Sequence, residues 1–267
     1  MDLAKFIAII ISIFAIAVIM SMVGRGGGNF YTPLLILAGL SIHKAACTSQ
    51  FILTVAALAA AGIFYKKRFI DWKLALIIDP PTDIMAFVGG VFSGYFNTAF
   101  LKVILAGLLL LASYFMFIEV SEKRLGYLRS KKGFWFWRRH YGEYDYTVDL
   151  RYALPITALT GLFAGMVGIS GGSFKIPMMV LLCGVPMRIA VGTSSLMIGL
   201  TAFMGFLGHF VAGHFDWRTA LPVAIAGLVG GIIGGKISVQ ISANKLKKIF
   251  GITTAIAGLL MVWKTFQ

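Results

Sequence analysis

The chain has 267 residues, of which 59% are hydrophobic and only 13% charged, and its formal net charge is +14. Soluble domains carry about 25% charged residues, so this composition excludes an ordinary soluble protein and indicates one that lies mostly in a membrane. We do not expect nucleic-acid binding from the positive charge, because the basic residues cluster at the ends of apolar runs, where they set membrane orientation and contact anionic lipid.

Apolar runs dominate the chain, and most are long enough to cross a bilayer when tilt is allowed. The long runs are 6–23, 45–64, 74–95, 103–118, 152–168, 188–208, 218–240 and 249–264, and the short ones are 30–40 and 174–184. Residues 6–23 are expected to remain as a first span, because no small-x-small cleavage site precedes the glycines that follow. The pattern predicts an all-α polytopic membrane protein.

A glycine-rich turn at residues 24–29 ends the first run, and the short run 30–40 follows directly. Glycine lets the backbone leave the helix and lets a ligand approach peptide N–H groups. The first N–H groups of the next helix carry partial positive charge. The turn therefore predicts an anion site, although its glycines would also serve close helix packing alone. The candidate substrate-binding residues here are Arg25, Gly26, Gly27, Gly28 and Asn29.

A polar cluster, Thr48, Ser49 and Gln50, lies near the start of the following run. Hydroxyl and amide donors complete the coordination of an oxyanion without a fixed charge that would hold it too tightly. These three residues are therefore further substrate-binding candidates. The alternative is a hydrogen bond to a helix carbonyl or to a neighbouring helix.

Two of the ten acidic residues, Asp79 and Asp83, lie within an apolar run, beside a pair of prolines expected to kink that helix. They are four residues apart and so share one helix face. Carboxylates inside a membrane are costly and usually functional or ion-paired. We expect them to carry a coupling proton or to balance Arg25 or Lys175; if the span begins later, Asp79 is only a loop residue.

One long polar stretch, residues 119–151, contains eight basic and five acidic residues. Its charge predicts a cytoplasmic linker between a first transmembrane unit, 1–118, and a second, 152–267. The aromatic cluster 134–137, followed by two arginines, is interpreted either as a short interfacial helix or as a solvated loop with a partly packed aromatic knot.

The second half repeats the motifs of the first at an offset of 144 residues, or 145 after one insertion. The glycine turn recurs at 168–173 and the hydroxyl cluster at 193–195, and such duplication of a broken segment is typical of secondary transporters. The corresponding substrate-binding candidates are Ser170, Gly171, Gly172, Ser173, Lys175, Thr193, Ser194 and Ser195.

Asp71-Trp72 and its copy Asp216-Trp217 are predicted helix N-caps with an interfacial aromatic anchor. His209 and His214 are five residues apart, so they do not share a helix face for metal binding and are expected near the interface. We expect neither a metal nor a cofactor.

Matching loops of the two halves carry opposite amounts of positive charge. Loop 65–73 holds four Lys or Arg and its counterpart 209–218 holds one, whereas 241–248 holds three and 96–102 holds one. This opposite bias predicts two repeats inserted in opposite orientations. Each repeat then contains either five crossings or three crossings and a re-entrant hairpin.

These residues resemble the TauE/SafE family of sulfite exporters over essentially the full length. The resemblance rests on the ordered duplication of the glycine turn and its proline, on Ala190–Ser194, and on the two Asp-Trp pairs. It implies transport of small sulfur-containing anions such as sulfite, sulfoacetate or related sulfonates, with the glycine turns and Thr-Ser clusters binding substrate. The first repeat departs from the pattern at 44–49, and Asp79 and Asp83 are not features we associate with the family.

The residues therefore predict a secondary transporter for a small anion that works by alternating access, with proton coupling as a hypothesis. An anion channel and a membrane-embedded enzyme acting on an anionic substrate remain as alternatives, and the enzyme is disfavoured because no His/Asp/Ser or metal constellation lies within the spans. The expected partners are the anion and the lipid bilayer, and both a monomer and a homodimer remain open.

Overall fold

The computed structural model describes residues 3–97, 133–168, 172–242, 244–246, 248 and 249, and the isolated positions 100, 103, 107 and 252. Within these residues, five helices are long and apolar enough to cross a membrane, or six if one bent pair counts as a span. The predicted all-α polytopic class is confirmed. Most of the predicted spans 103–118 and 249–264 lies outside the described residues.

The described residues of the first half form five helices and a short 3-10 turn. They are α1 (Leu3–Met22), α2 (Gly28–Leu37), α3 (Ile42–Lys66), α4 (Trp72–Ile78) and α5 (Pro80–Phe92), with the 3-10 turn at Ser93–Tyr95. Asp79 separates α4 from α5, and the two helices meet at a bend of 50°. The prolines that open α5 supply no backbone N–H to continue the hydrogen bonds of α4, which explains the predicted kink.

A two-stranded hairpin precedes the helices of the second half. These elements are β1 (Phe136–Tyr141), β2 (Tyr144–Asp149), α6 (Leu150–Val167), α7 (Gly172–Pro177), a π-helical turn (Met178–Leu182), α8 (Met187–Val211) and α9 (Trp217–Ser238). The two segments that were predicted to be short, α2 and α7, have ten and six residues as α-helix. Helix α6 begins at Leu150, two residues before the predicted start of the second unit.

The hairpin shows that both interpretations of the aromatic cluster 134–137 were wrong. Phe136 and Trp137 begin an antiparallel strand that pairs with β2 in the register Phe136 to Asp149 and Tyr141 to Tyr144. Along β1, exposed side chains alternate with half-buried ones, and Gly142 makes the turn with a φ of 62°. In the sequence it is β2 that alternates, with Tyr144, Tyr146 and Val148 apolar and the residues between them polar, and this period of two was the overlooked signal, since neither a helix nor a loop produces it.

Helices α3 and α8, which are repeat equivalents, lie side by side at the centre and run antiparallel. Gly205 lies against Gln50, Gly199 against Leu58 and Gly192 against Phe69, so positions ascending α3 meet positions descending α8. The described parts of α3 and α8 are also the most buried of the candidate spans. Antiparallel equivalents support the predicted inversion, which stays a prediction because no membrane defines the orientation.

The other helix contacts are reciprocal between the halves. Helix α1 packs on α9 as α6 packs on α5, and α9 packs on α3 as α5 packs on α8. Glycines make several of these contacts at backbone distance, where a Cβ would collide. In each reciprocal pair, the second contact is the repeat equivalent of the first. The contact of Gly89 with Leu162 corresponds to that of Gly234 with Val18, the contact of Gly90 with Gly205 to that of Gly235 with Ala60, and the contact of Gly24 with Val191 to that of Gly168 with Ala46.

The two ends of the bundle are distinct. At the hairpin end, Phe64, Ile70, Tyr146, Val185 and Leu246 belong to one apolar cluster. At the opposite end, the start of α1, the α2–α3 connection and the residue before α9 line the same pocket. Its lining includes Lys5, Gly39, Ser41 and Asp216. The chain therefore crosses in α1 and has returned to its starting end by Gly39.

Candidate functional site

The first glycine turn lies in the interior between the halves. Gly24, Gly26 and Gly27 have φ values of 72°, 66° and 99°, which residues other than glycine rarely adopt. Gly26 lies against Leu53, and its next neighbours are Ala57 and Ile198. Arg25 is only 1% exposed. Gly28 begins α2, while the side chain of Asn29 lies outside the described residues.

The second glycine turn is held by hydroxyls from the first half. Gly168 caps α6 with a φ of 70°, and its carbonyl accepts hydrogen bonds from Thr32 Oγ1 at 2.6 Å and Ser49 Oγ at 2.8 Å. Thr32 was not a predicted site residue. Ser170 and Gly171 lie outside the described residues, and of Gly172 and Ser173 only the backbone, at the start of α7, is described.

Hydrogen bonds to the protein occupy four members of the predicted polar clusters. Ser49 bonds to Gly168 as above, Gln50 Nε2 donates to the carbonyl of Ala164 at 3.0 Å, and Ser195 Oγ donates to the carbonyl of Val191 in its own helix. Thr193 Oγ1 accepts from the backbone N–H of Asp71 at 2.9 Å. These contacts match the structural alternative named for the clusters.

Thr48 and Ser194 differ from their neighbours. Both hydroxyls are buried and have no hydrogen-bond partner among the described residues. A buried polar group without a partner costs free energy, so it commonly marks a place where a ligand or water binds. These two hydroxyls, one from each repeat, are the cluster members free to contact a substrate.

Lys175 makes the strongest contact among the predicted residues. Its ammonium group pairs with Asp79 Oδ1 and donates to Thr201 Oγ1 at 2.7 Å, and the Thr201 hydroxyl donates to Asp83 Oδ1 at 2.7 Å. Lys175 and Asp79 are 1% and 2% exposed. The structure thus brings together Lys175, Asp79 and Asp83 and shows the ion pair that was one of the expectations for the acids.

Thr201 connects this cluster but was missed in the sequence. Its repeat equivalent is Ala56, and the same lack of symmetry that singled out Lys175 and the two acids would have identified it. On α8, Ser194, Ile198 and Thr201 recur at spacings of four and three, so they share one helix face. Since Gly26 approaches Ile198, the first glycine turn and the Lys175 cluster adjoin neighbouring turns of α8.

Asp71 anchors the hairpin to the membrane unit. Its carboxylate caps α4 by accepting from the N–H groups of Lys73 and Leu74, as predicted, and also binds Arg139 Nε at 2.8 Å and Tyr146 Oη at 2.5 Å. Burial alone would raise the pKa of Asp71, but the hydrogen bonds from Arg139, Tyr146 and Leu74 outweigh it and hold that pKa below its usual value. Burial and the bond to Asp71 raise the pKa of Tyr146.

His43, His209 and His214 lie close to the end of the bundle opposite the hairpin. His209 was expected near the interface but is fully buried, with Nε2 2.9 Å from the carbonyl of Gly165 and Nδ1 3.2 Å from Ser93 Oγ. His214 stacks on His43 at a centroid distance of 5.0 Å, and burial followed by the charge of His43 lowers its pKa. Among the described residues, no group of three His, Cys, Asp or Glu residues could hold a metal ion.

Residues 9–261, nearly the whole chain, match the protein family described as sulfite exporter TauE/SafE. The chain belongs to the TauE/SafE sulfite exporter family. It is therefore a membrane transporter, and a multi-pass protein of the cell membrane. The family assignment confirms the resemblance drawn from the glycine turns and the Asp-Trp pairs.

Curated relatives of this TauE/SafE protein are similar over nearly their whole length. YdhB of Bacillus subtilis is 28% identical over 96% of this chain and 99% of its own, and YunE of the same organism is 23% identical over 91% and 92%. MJ0441 of Methanocaldococcus jannaschii is 24% identical over 93% and 92%. Each is named a probable membrane transporter protein. No solved structure matches the chain.

Proposed function

We propose that this protein is a secondary transporter that moves small sulfur-containing anions, such as sulfite, sulfoacetate and related sulfonates, by alternating access. The observation that carries the proposal is a buried ammonium group, Lys175, close to a glycine turn and to the antiparallel pair α3 and α8. A cation inside a membrane protein is costly and usually serves an ion or substrate path. The family name, sulfite exporter, supports the choice of anion.

The anion binds between the two glycine turns, Gly26–Asn29 and Gly171–Ser173. The unpartnered hydroxyls of Thr48 and Ser194 support this position, because both are buried and come from the matching polar clusters of the two repeats, at adjacent rather than equivalent positions. Ser49 and Thr193 join the site when their present bonds to Gly168 and Asp71 open. Asp79 or Asp83 carries the coupling proton.

The hairpin end faces the cytoplasm in this proposal. Exposed Lys and Arg side chains are more frequent there, and cytoplasmic ends of membrane proteins carry the excess of positive charge. Among the described residues, the exposed basic side chains at the hairpin end are Lys66, Lys67, Arg68, Lys73, Arg138, Arg151, Arg188, Lys236, Lys245 and Lys248, against Lys5, Lys44 and Arg218 at the opposite end.

The proposal is tested with purified protein in proteoliposomes loaded with unlabelled sulfite, sulfoacetate or a carboxylate analogue, measuring uptake of labelled sulfite. We expect saturable exchange with the sulfur-containing anions and none with protein-free vesicles. Exchange with carboxylates only would overturn the substrate assignment. Conductance far above carrier rates would instead favour an anion channel.

The site is tested with Thr48→Ala and Ser194→Ala. Each is expected to weaken sulfite binding about 10- to 100-fold, the effect of losing one hydrogen bond to a charged ligand. Thr54→Ala is the matched control, because the Thr54 hydroxyl bonds to the carbonyl of Gln50 in its own helix. Equal effects of all three substitutions on binding would count against the site.

A further inference from the structure

The Lys175 cluster holds three ionisable side chains but only two of them form an ion pair. Lys175 contacts Asp79 Oδ1, whereas Asp79 Oδ2 is buried and has no hydrogen-bond partner among the described residues. Asp83 is less buried than Asp79 and accepts a hydrogen bond from the Thr201 hydroxyl. One carboxylate oxygen in the cluster is therefore ready to take a proton without breaking an existing bond.

The partners of Asp79 limit what can happen when another anion reaches Lys175. The charged groups acting on Asp79 are Lys175 from α7 and Asp83 from α5, and α8 contributes the neutral hydroxyl of Thr201. Helix α6, which packs on α5, has its only ionisable groups, Arg151 and Tyr152, at the hairpin end. If Lys175 turns to a second anion, no other cation among the residues that the structure describes acts on Asp79, and a lone buried carboxylate is strongly disfavoured.

The cluster occurs once in the molecule, although the packing around it is reciprocal. The repeat equivalents of Lys175, Asp79, Thr201 and Asp83 are Tyr31, Ala224, Ala56 and Leu228. Each transport cycle can then couple only one anion and one proton through this cluster.

We propose that Lys175 is the anion-binding group and that Asp79 gives up its place on Lys175 to the anion by taking one proton. The inference rests on the proposed transport function and names its coupling. An anion X⁻ and a proton enter, the Lys175 ammonium exchanges the carboxylate of Asp79 for X⁻, and the proton binds Asp79 as the neutral acid. Lys175 keeps its charge throughout, and the net charge of the cluster does not change.

The exchange is charge-balanced for a monovalent anion, so within the proposed substrate class it favours singly charged sulfonates and hydrogen sulfite over the divalent sulfoacetate. One singly charged anion with one proton crosses without moving net charge, so its transport responds to a pH gradient and not to membrane potential. Transport of a divalent anion with one proton would move one negative charge across the membrane, so it would respond to both the pH gradient and the membrane potential. Thr201 positions Lys175 and leaves Asp83 paired, which is why Asp79 rather than Asp83 takes the proton.

The test uses labelled methanesulfonate, a monovalent probe, and proteoliposomes with the outside one pH unit more acidic than the inside. The wild-type protein is expected to accumulate the probe up to about tenfold, since one unit of proton gradient is a tenfold driving force. A potassium diffusion potential should leave that ratio unchanged. Potential-dependent accumulation without a pH response would overturn the coupling.

Asp79→Asn imitates the protonated acid. This variant should exchange external for internal methanesulfonate but lose the accumulation driven by the pH gradient. Asp216→Asn, a helix cap outside the cluster, is the matched control and should retain that accumulation. Accumulation by Asp79→Asn equal to that of the wild type would overturn the inference. Methanesulfonate exchange without accumulation in the wild type overturns the coupling alone, whereas no sulfonate transport of any kind overturns the proposed function as well.

A binding measurement separates anion binding from folding. Lys175→Met alone leaves the buried carboxylate of Asp79 without its ion-pair partner and is expected to lower the melting temperature. Lys175→Met is therefore combined with Asp79→Asn, so that both charges are removed. Methanesulfonate should raise the melting temperature of the wild type and, independently of pH, of Asp79→Asn. It should not stabilise the double variant. A ligand-induced shift in the folded double variant would exclude Lys175 as the anion-binding group.

Discussion

At the scale of single residues, Asp71 and Asp216 are caps of the same kind with different surroundings. Both carboxylates accept hydrogen bonds from the first N–H groups of a helix, at α4 and α9. Asp71 is additionally bound by Arg139 and Tyr146 and is fully buried, whereas Asp216 bonds to Thr219 and is half-buried. The pair therefore separates the effect of the cap from the effect of the hairpin contact.

We predict that Asp71→Asn destabilises the protein by about 1.5–3 kcal/mol, the range for hydrogen bonds to a charged group, because an amide oxygen still caps α4 but no longer pairs with Arg139. Asp216→Asn is expected to cost less than about 1 kcal/mol. Thermal melting in detergent measures both. Equal losses would mean that the hairpin contact contributes nothing.

The advantage of the wild type over Asp71→Asn should depend on pH. The pKa of Asp71 is held below its unfolded value, so the ionised form stabilises the folded state above an unfolded pKa of about 4, and this contribution disappears as pH falls through the lower folded value. The difference in melting temperature is predicted to be constant from about pH 5 to 8 and to shrink below about pH 4. A difference that grows on acidification would contradict the ion pair.

At the scale of elements, helix pairs approach as closely as their glycines allow. A Cβ on Gly161 would lie 2.2 Å from the carbonyl oxygen of Thr82, and one on Gly165 would lie 2.2 Å from that of Ala86. Helices α5 and α6 are thus in backbone contact along two turns. Packing of this kind explains why glycine patterns at helical spacing recur outside the two turns.

We predict that Gly161→Ala or Gly165→Ala costs about 1–3 kcal/mol, because α5 and α6 must separate to admit the methyl group. Gly62→Ala in α3 is the control, since nothing lies within 4 Å of its Cβ position, and it should be neutral or up to about 1 kcal/mol more stable. Melting temperatures in detergent check the three variants. A loss at Gly62 equal to that at Gly161 would show that packing is not the cause.

How far the sequence predicts each element depends on whether its signal is local. The helix caps at Asp71 and Asp216 and the kink at Asp79 were predictable, because capping and proline geometry act within a few residues. The hairpin was missed because attention to the aromatic and basic composition of 134–139 drew notice away from the alternation of period two in 144–149. The choice of Lys175 rather than Arg25 as partner of Asp79 depends on how α5, α7 and α8 meet, which no local pattern encodes.

At the scale of the whole molecule, the two ends of the bundle should lie on opposite sides of the membrane. Glu143 at the tip of the hairpin and Ala212 between α8 and α9 are both exposed and lie at opposite ends. Both native cysteines, Cys47 and Cys183, are buried, so replacing them by alanine gives a clean background for labelling.

We predict that Glu143→Cys reacts with a membrane-impermeant maleimide only after the cytoplasmic side is opened, and that Ala212→Cys reacts in intact cells. The physical reason is the excess of exposed Lys and Arg at the hairpin end. Gel-shift labelling of spheroplasts and inverted vesicles measures both positions. Labelling of both from the same side would contradict opposite ends and, with them, the inverted arrangement.

The reciprocal packing has a consequence for the energy of transport. Exchanging the conformations of the halves under alternating access would replace the bond of Ser49 to Gly168 by one from Ser194 to Gly24, and that of Asp71 to Thr193 by one from Asp216 to Thr48. Each bond is worth about 1 kcal/mol, and the glycine contacts are the same in both arrangements. These reciprocal contacts would therefore not favour either form, and the free-energy difference between the two forms would come from contacts without a repeat equivalent, chiefly the ion pair of Lys175 with Asp79 and the bond of Thr32 to Gly168.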